Sequence, residues 1–76
     1  MAQTLDQEFE EILERALEQL PADWRAAVLL RDIEGLSTQA GAEIAGVGEA
    51  AFKSRLHRGR MLLRALLEPY LQLEEG

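Results

Sequence analysis

The sequence predicts a compact all-α domain of four helices with a C-terminal helix-turn-helix, and three observations lead there. Ala, Leu, Glu and Arg are abundant while β-branched residues are few, a helix-favouring composition. Apolar residues recur at spacings of three and four, the period of a helix with one buried face. Near the middle of the chain a short helical stretch is closed by Gly46 and followed at once by a long one, which is the helix, tight turn, helix plan.

The 76 residues suit a single domain spanning residues 1–76, close to the size where one core leaves little stability to spare. The chain has no cysteine and one histidine, so neither a disulfide framework nor a thiolate or His-based metal cage is expected, and no cofactor. No apolar run approaches the roughly 18 residues of a membrane span. The N-terminal segment carries Asp6, Glu8, Glu10 and Glu11 in place of a basic leader, so a cytoplasmic location without membrane contact is expected.

The first helix is expected over residues 5–19. Thr4 to Gln7 reads as a capping box, and Leu5, Phe9, Ile12, Leu13, Ala16, Leu17 and Leu20 form the apolar stripe. Glu8, Glu10, Glu11, Glu14 and Glu18 form the opposite face, read first as a solvated surface and alternatively as a docking surface for a basic protein partner. Pro21 suits the first position of a second helix, residues 22–33, whose centre from Ala26 to Leu30 is apolar almost all round. That pattern marks the core helix, with Trp24 as an anchor in register with Val28. Gly35 supplies its left-handed terminator. Ser37 caps a third helix, residues 38–45, which Gly46 closes.

The fourth helix is expected over residues 49–67, with Val47 and Phe52 stapling its start if Gly48 is the cap. Gly41 is the weak point of the third helix, and Phe52 is the candidate to fill the space it leaves. Pro69 should end the fourth helix near Leu67, leaving a short acidic tail, residues 70–76, whose Tyr70, Leu71 and Leu73 are expected to fold back on the first helix, the alternative being a binding motif.

On the wheel of the fourth helix, Phe52, Leu56, Gly59, Leu63, Leu66 and Leu67 share one stripe. Lys53, Ser54, His57, Arg58 and Met61 gather on the far side. Arg55 flanks the stripe on one edge, and Arg60 and Arg64 on the other, where phosphates bordering a groove would be met. Although the net charge is −6, residues 1–49 carry −8, residues 50–67 carry +5 and residues 68–76 carry −3. Because the Debye length is about 8 Å in physiological salt, a polyanion docked on the long helix feels the local basic surface first.

Catalysis is not expected. His57 lies among basic neighbours and Ser54, a turn earlier, has no orienting carboxylate, so no triad can be assembled. Gly46 and Gly48 do not make a phosphate-cradling loop, and neither a small-molecule substrate nor an enzyme activity is read here.

The segments GLS at Gly35–Ser37, AEIAGV at Ala42–Val47 and KSRLHRGR at Lys53–Arg60, with their spacing, resemble region 4 of a bacterial sigma factor of the extracytoplasmic-function group. The resemblance runs from about Ala16 to Leu67. It implies a transcription-initiation role: sequence-specific binding of duplex promoter DNA at the minus-35 element, in the major groove, and contact with the flap of the RNA polymerase core. An anti-sigma factor is a further implied partner. Carried over by position, Lys53, Ser54, His57 and Arg58 are the base-facing residues, and Arg55 and Arg60 suit phosphates.

The chain departs from the family pattern at Gly41, usually a large aliphatic, at Ala51 and Phe52, where Thr-Val is frequent, and at Gly59, where Ala is frequent. Region 2, which melts the promoter, has no counterpart here, leaving an excised domain or a protein that is not a complete sigma factor. Two other functions fit the same plan. One is a sigma-like interaction module that binds polymerase or an anti-sigma factor with little affinity for DNA, favoured by the acidic first 49 residues. The other is a response-regulator helix-turn-helix, which the arginine-rich KSRLHRGR disfavours.

Overall fold

The computed structural model describes the backbone of residues 2–75 and the side chains of residues 7–71. Four helical segments follow one another without a strand among the described residues: α1 (Ala2–Glu18), α2 (Ala22–Val28), α3 (Thr38–Ala45) and α4 (Glu49–Glu75). Between α2 and α3 the chain widens into a π turn, Leu29–Ile33.

The helix ends follow local chemistry. Gln19 and Leu20 donate to the carbonyls of Ala16 and Leu17, both at 3.1 Å, which tightens the end of α1. Pro21 stands one residue before α2, not inside it, since its ψ of 145° is extended; its carbonyl accepts from Arg25 at 2.9 Å. Gly35, at φ 78°, takes the left-handed conformation, and Leu36 N–H reaches back to the Leu30 carbonyl at 3.1 Å. The Ser37 hydroxyl accepts from Ala40 N–H at 3.0 Å and caps α3. Gly46, at φ 75°, ends α3, where Val47 N–H meets the Ala42 carbonyl at 3.0 Å.

Three expectations change. Helix α1 begins at Ala2, so Thr4 lies inside the helix and does not cap it; the capping-box side chain of Thr4 falls outside the described residues. The second helix is not one regular α-helix over 22–33 but an α segment and a π turn. Helix α4 does not stop at Leu67; it continues through Pro69 to Glu75, so the tail expected over 70–76 is helical as far as Glu75. Proline deprives residue 65 of one accepted hydrogen bond, but Ala65 and Pro69 both lie on the exposed side, where the freed carbonyl is open to solvent.

The core joins Leu17 and Leu20 of the α1 end, Ala27 and Val28 of α2, Ala42 of α3, and Phe52 and Leu56 of α4. Helix α4 packs most extensively on α2, and next on α3. Among the described side chains of α1, those that reach this core come from its second half. Ala16 and Leu17 are buried while Phe9 is exposed, and the acidic residues Glu8, Glu10, Glu11, Glu14 and Glu18 all face solvent.

Two glycines set how closely α4 approaches its neighbours. Phe52 is 0% exposed, and a Cβ on Gly41 would stand 2.6 Å from its Cζ. The ring therefore occupies the space that an aliphatic side chain at 41 would fill, and the two departures from the family pattern compensate each other. A Cβ on Gly59 would lie 2.8 Å from Val28 Cγ2 and 3.0 Å from the Trp24 carbonyl oxygen, so α2 and α4 cross in near backbone contact. We expect Gly41→Ala to lower the melting temperature. A helix-propensity gain of about 1 kcal/mol is set against overpacking of about 1–3 kcal/mol around a ring with nowhere to go. Thermal denaturation followed by circular dichroism checks this, and the companion Gly41→Ala/Phe52→Leu should recover the loss. A stabilised single variant would mean that the ring yields.

Candidate nucleic-acid interface

Because Phe52, Leu56, Gly59 and Leu67 are buried along one stripe of α4, the opposite face is directed outward by the same packing. Lys53, Ser54, His57 and Arg58 all lie exposed on that outward face, within the first three turns of the helix. The Gly46–Val47–Gly48 turn holds α3 against the start of α4, with Val47 packed on the core and Phe52 N–H bonded to the Gly48 carbonyl at 3.0 Å. The arrangement is a helix-turn-helix whose second helix presents a basic face at its N-terminal half, the part of such a helix that meets base edges.

The three flanking arginines have different surroundings. Arg64 is exposed. Arg55 is half-buried and lies 3.9 Å from Asp23 of α2, whose side chain is largely in solvent. Arg60 forms a bidentate pair with Asp32 in the π turn, Nε donating to Oδ2 at 2.9 Å and Nη2 to Oδ1 at 2.5 Å. These hydrogen bonds hold the Asp32 carboxyl below its usual value, against the opposing effect of desolvation. The same bonds raise the Arg60 guanidinium above its own. Since the folded value of Asp32 is depressed, the pair's contribution is complete above the ordinary 3.8 and is lost as pH falls from there through the folded value. At neutral pH the pair is intact.

Sequence reasoning did not foresee two features of this surface. Trp24 is half-buried and stands outside the core; with His57, Arg58, Met61 and Leu62 it lines a shallow depression beside the outward face of α4. Met61, 59% exposed, lies on that face as its place on the helical wheel predicts. The Asp23 and Asp32 pairings also went unread, because residues 32 and 28 positions apart meet only once α2 lies across α4.

The fold and this face define a helix-turn-helix domain with an exposed basic side. The family model for sigma-70, region 4, matches residues 10–63, and the chain belongs to that family. It is 49% identical over 55 residues to the ECF RNA polymerase sigma factor SigE of Mycolicibacterium smegmatis, covering 72% of this chain and 21% of that protein. It is 43% identical over 65 residues to the ECF RNA polymerase sigma factor EcfG of Rhodopseudomonas palustris, covering 86% of this chain and 35% of the relative. Against the ECF RNA polymerase sigma-E factor of Haemophilus influenzae the identity is 33% over 67 residues, covering 88% and 35%. The chain thus spans about a fifth to a third of the length of these relatives. No helix among the described residues is long and apolar enough to cross a membrane.

Proposed function

We propose that this domain reads the minus-35 element of duplex promoter DNA during transcription initiation, in the cytoplasm and attached to RNA polymerase. The observation that carries the reading is the division of α4: one stripe fixed in the core, and Lys53, Ser54, His57 and Arg58 together on the face turned away from it. A helix enters the major groove with such a face, and lysine, arginine, serine and histidine there can meet acceptors on base edges. Arg55 and Arg64, nearer the borders, are placed for phosphates, and Arg60 joins them to the extent that Asp32 releases it.

Attachment to the polymerase flap is supported by a second surface. A groove between α1 and the π turn is lined by Leu13, Leu17, Leu29 and Ile33 and rimmed by Glu10 and Glu14, with Ile33 exposed. An apolar segment carrying basic residues suits it. The competing reading, an interaction module for polymerase or an anti-sigma factor with little affinity for DNA, is favoured by the pairing of Arg55 and Arg60 with acids and by the net charge of −6.

Selection of bound sequences from a random duplex pool at low salt separates the two. Enrichment of a single motif is the expected result. Recovery of no duplex at low salt would favour the interaction module.

A further inference from the structure

We propose that Asp32 is an intramolecular competitor of DNA phosphate: by holding Arg60 in its bidentate pair, it removes that cation from the electrostatic attraction between α4 and the duplex. The inference rests on the reading of α4 as the DNA-facing helix. It follows from the geometry of the pair. Arg60 gives its Nε and Nη2 hydrogens to the two carboxylate oxygens, the same two-point fork that a phosphate would accept. A phosphate reaching for that edge must displace Asp32, and one approaching the remaining Nη1 edge meets a carboxylate just behind the cation.

Position on the helix makes the competition matter. Arg60 and Arg64, four residues apart, lie on one edge of α4, next to Lys53 and His57 of the outward face. Asp32 therefore stands against the border of the basic face, and its charge offsets one of the five cations of residues 50–67. The Asp23–Arg55 pair is a weaker case, since 3.9 Å separates the atoms and the Asp23 side chain is 71% exposed. Solvent and salt screen such a contact, which leaves Arg55 available. Asp32 is only half as exposed, and its pair closes two hydrogen bonds.

Duplex binding releases counterions in proportion to the phosphates neutralised, with a slope of log K against log salt of about −0.9 per phosphate. Asp32→Asn, which keeps the side-chain shape and removes the charge, should steepen the slope by about 1. Affinity for both a selected and a scrambled duplex should rise about five- to tenfold at 0.1 M salt. Arg60→Gln should leave the slope within a few tenths of wild type, whereas Arg64→Ala should lose about 1. In the Asp32→Asn/Arg60→Gln double variant the gain should vanish, because Asp32 acts through Arg60. A purely structural Asp32 would alter melting without steepening the salt dependence.

Fluorescence anisotropy titrations at several salt concentrations, with melting curves for each variant, measure all of this. An unchanged slope in Asp32→Asn overturns the proposal, as does a gain that survives in the double variant. If Asp32→Asn does not fold, Arg60→Gln decides: loss of a full unit of slope would mean that Arg60 already neutralises a phosphate in the wild type. Wild-type protein that binds no duplex at low salt overturns the DNA reading itself, and this inference with it.

Discussion

Phe52→Ala is expected to unfold the domain or to lower its melting temperature by more than about 12 °C. Truncating a buried phenylalanine costs about 3–5 kcal/mol, and a degree scale of about 4–8 °C per kcal/mol applies to domains of this size. The size of the effect follows from where the ring sits. It is 0% exposed and lies against the bare backbone of Gly41, so its removal leaves a void bordered by a residue with no side chain to lean in. With stability of about 0.05–0.15 kcal/mol per residue, a chain of 76 residues holds about 4–11 kcal/mol in all. The loss takes a large part of it. Phe9→Ala is the control, since Phe9 is 38% exposed and stands outside the buried core. Trp24→Ala should fall between the two. Melting curves for the three variants, read by circular dichroism at 222 nm, provide the comparison; wild-type-like melting of Phe52→Ala would mean that the core lies elsewhere.

What could be read in the sequence was what is decided within a few residues. Ser37, Gly35 and Gly46 mark their helix ends because a hydroxyl cap or a left-handed residue acts on its own turn, and each took the predicted role. The outward face of α4 was legible for the same reason: helical periodicity alone separates Phe52 and Leu56 from Lys53, His57 and Arg58. The errors came where a neighbouring element decides the outcome. Trp24 shares a face with Val28, but the close crossing at Gly59 sets its backbone against α4 and leaves its ring at the rim, beside Arg58. Pro69 is a helix terminator by its local chemistry. Here the helix continues past it, and Tyr70 lines a groove with Leu66 and with Ile12 and Ala16 of α1. The Asp32–Arg60 pair depends on the α2–α4 crossing and on the π turn, neither of which has a signature in the residues alone.

On the proposed DNA-binding reading, the functional prediction with the largest effect separates residues that would read bases from those that would hold phosphates. Arg58 is exposed on the face opposite Phe52 and Leu56, so docking α4 in the groove turns its guanidinium toward base edges. Arginine makes paired hydrogen bonds to the two major-groove acceptors of guanine, a fit that no other base offers. Arg58→Ala should therefore cost about 1–3 kcal/mol on the selected site and relax preference at one position, while changing affinity for a scrambled duplex much less. Arg64 stands six residues further along, exposed and nearer the border, where the strands of a docked duplex would pass. A cation there neutralises phosphate whatever the sequence. Arg64→Ala should weaken all duplexes alike and reduce the salt slope by about 1. Both variants and the wild type would be titrated against the selected and scrambled duplexes across a range of salt. The assignment of faces would fail if Arg64→Ala altered sequence preference while Arg58→Ala lowered affinity for both duplexes equally. That outcome would place the far end of α4, not its first three turns, in the groove.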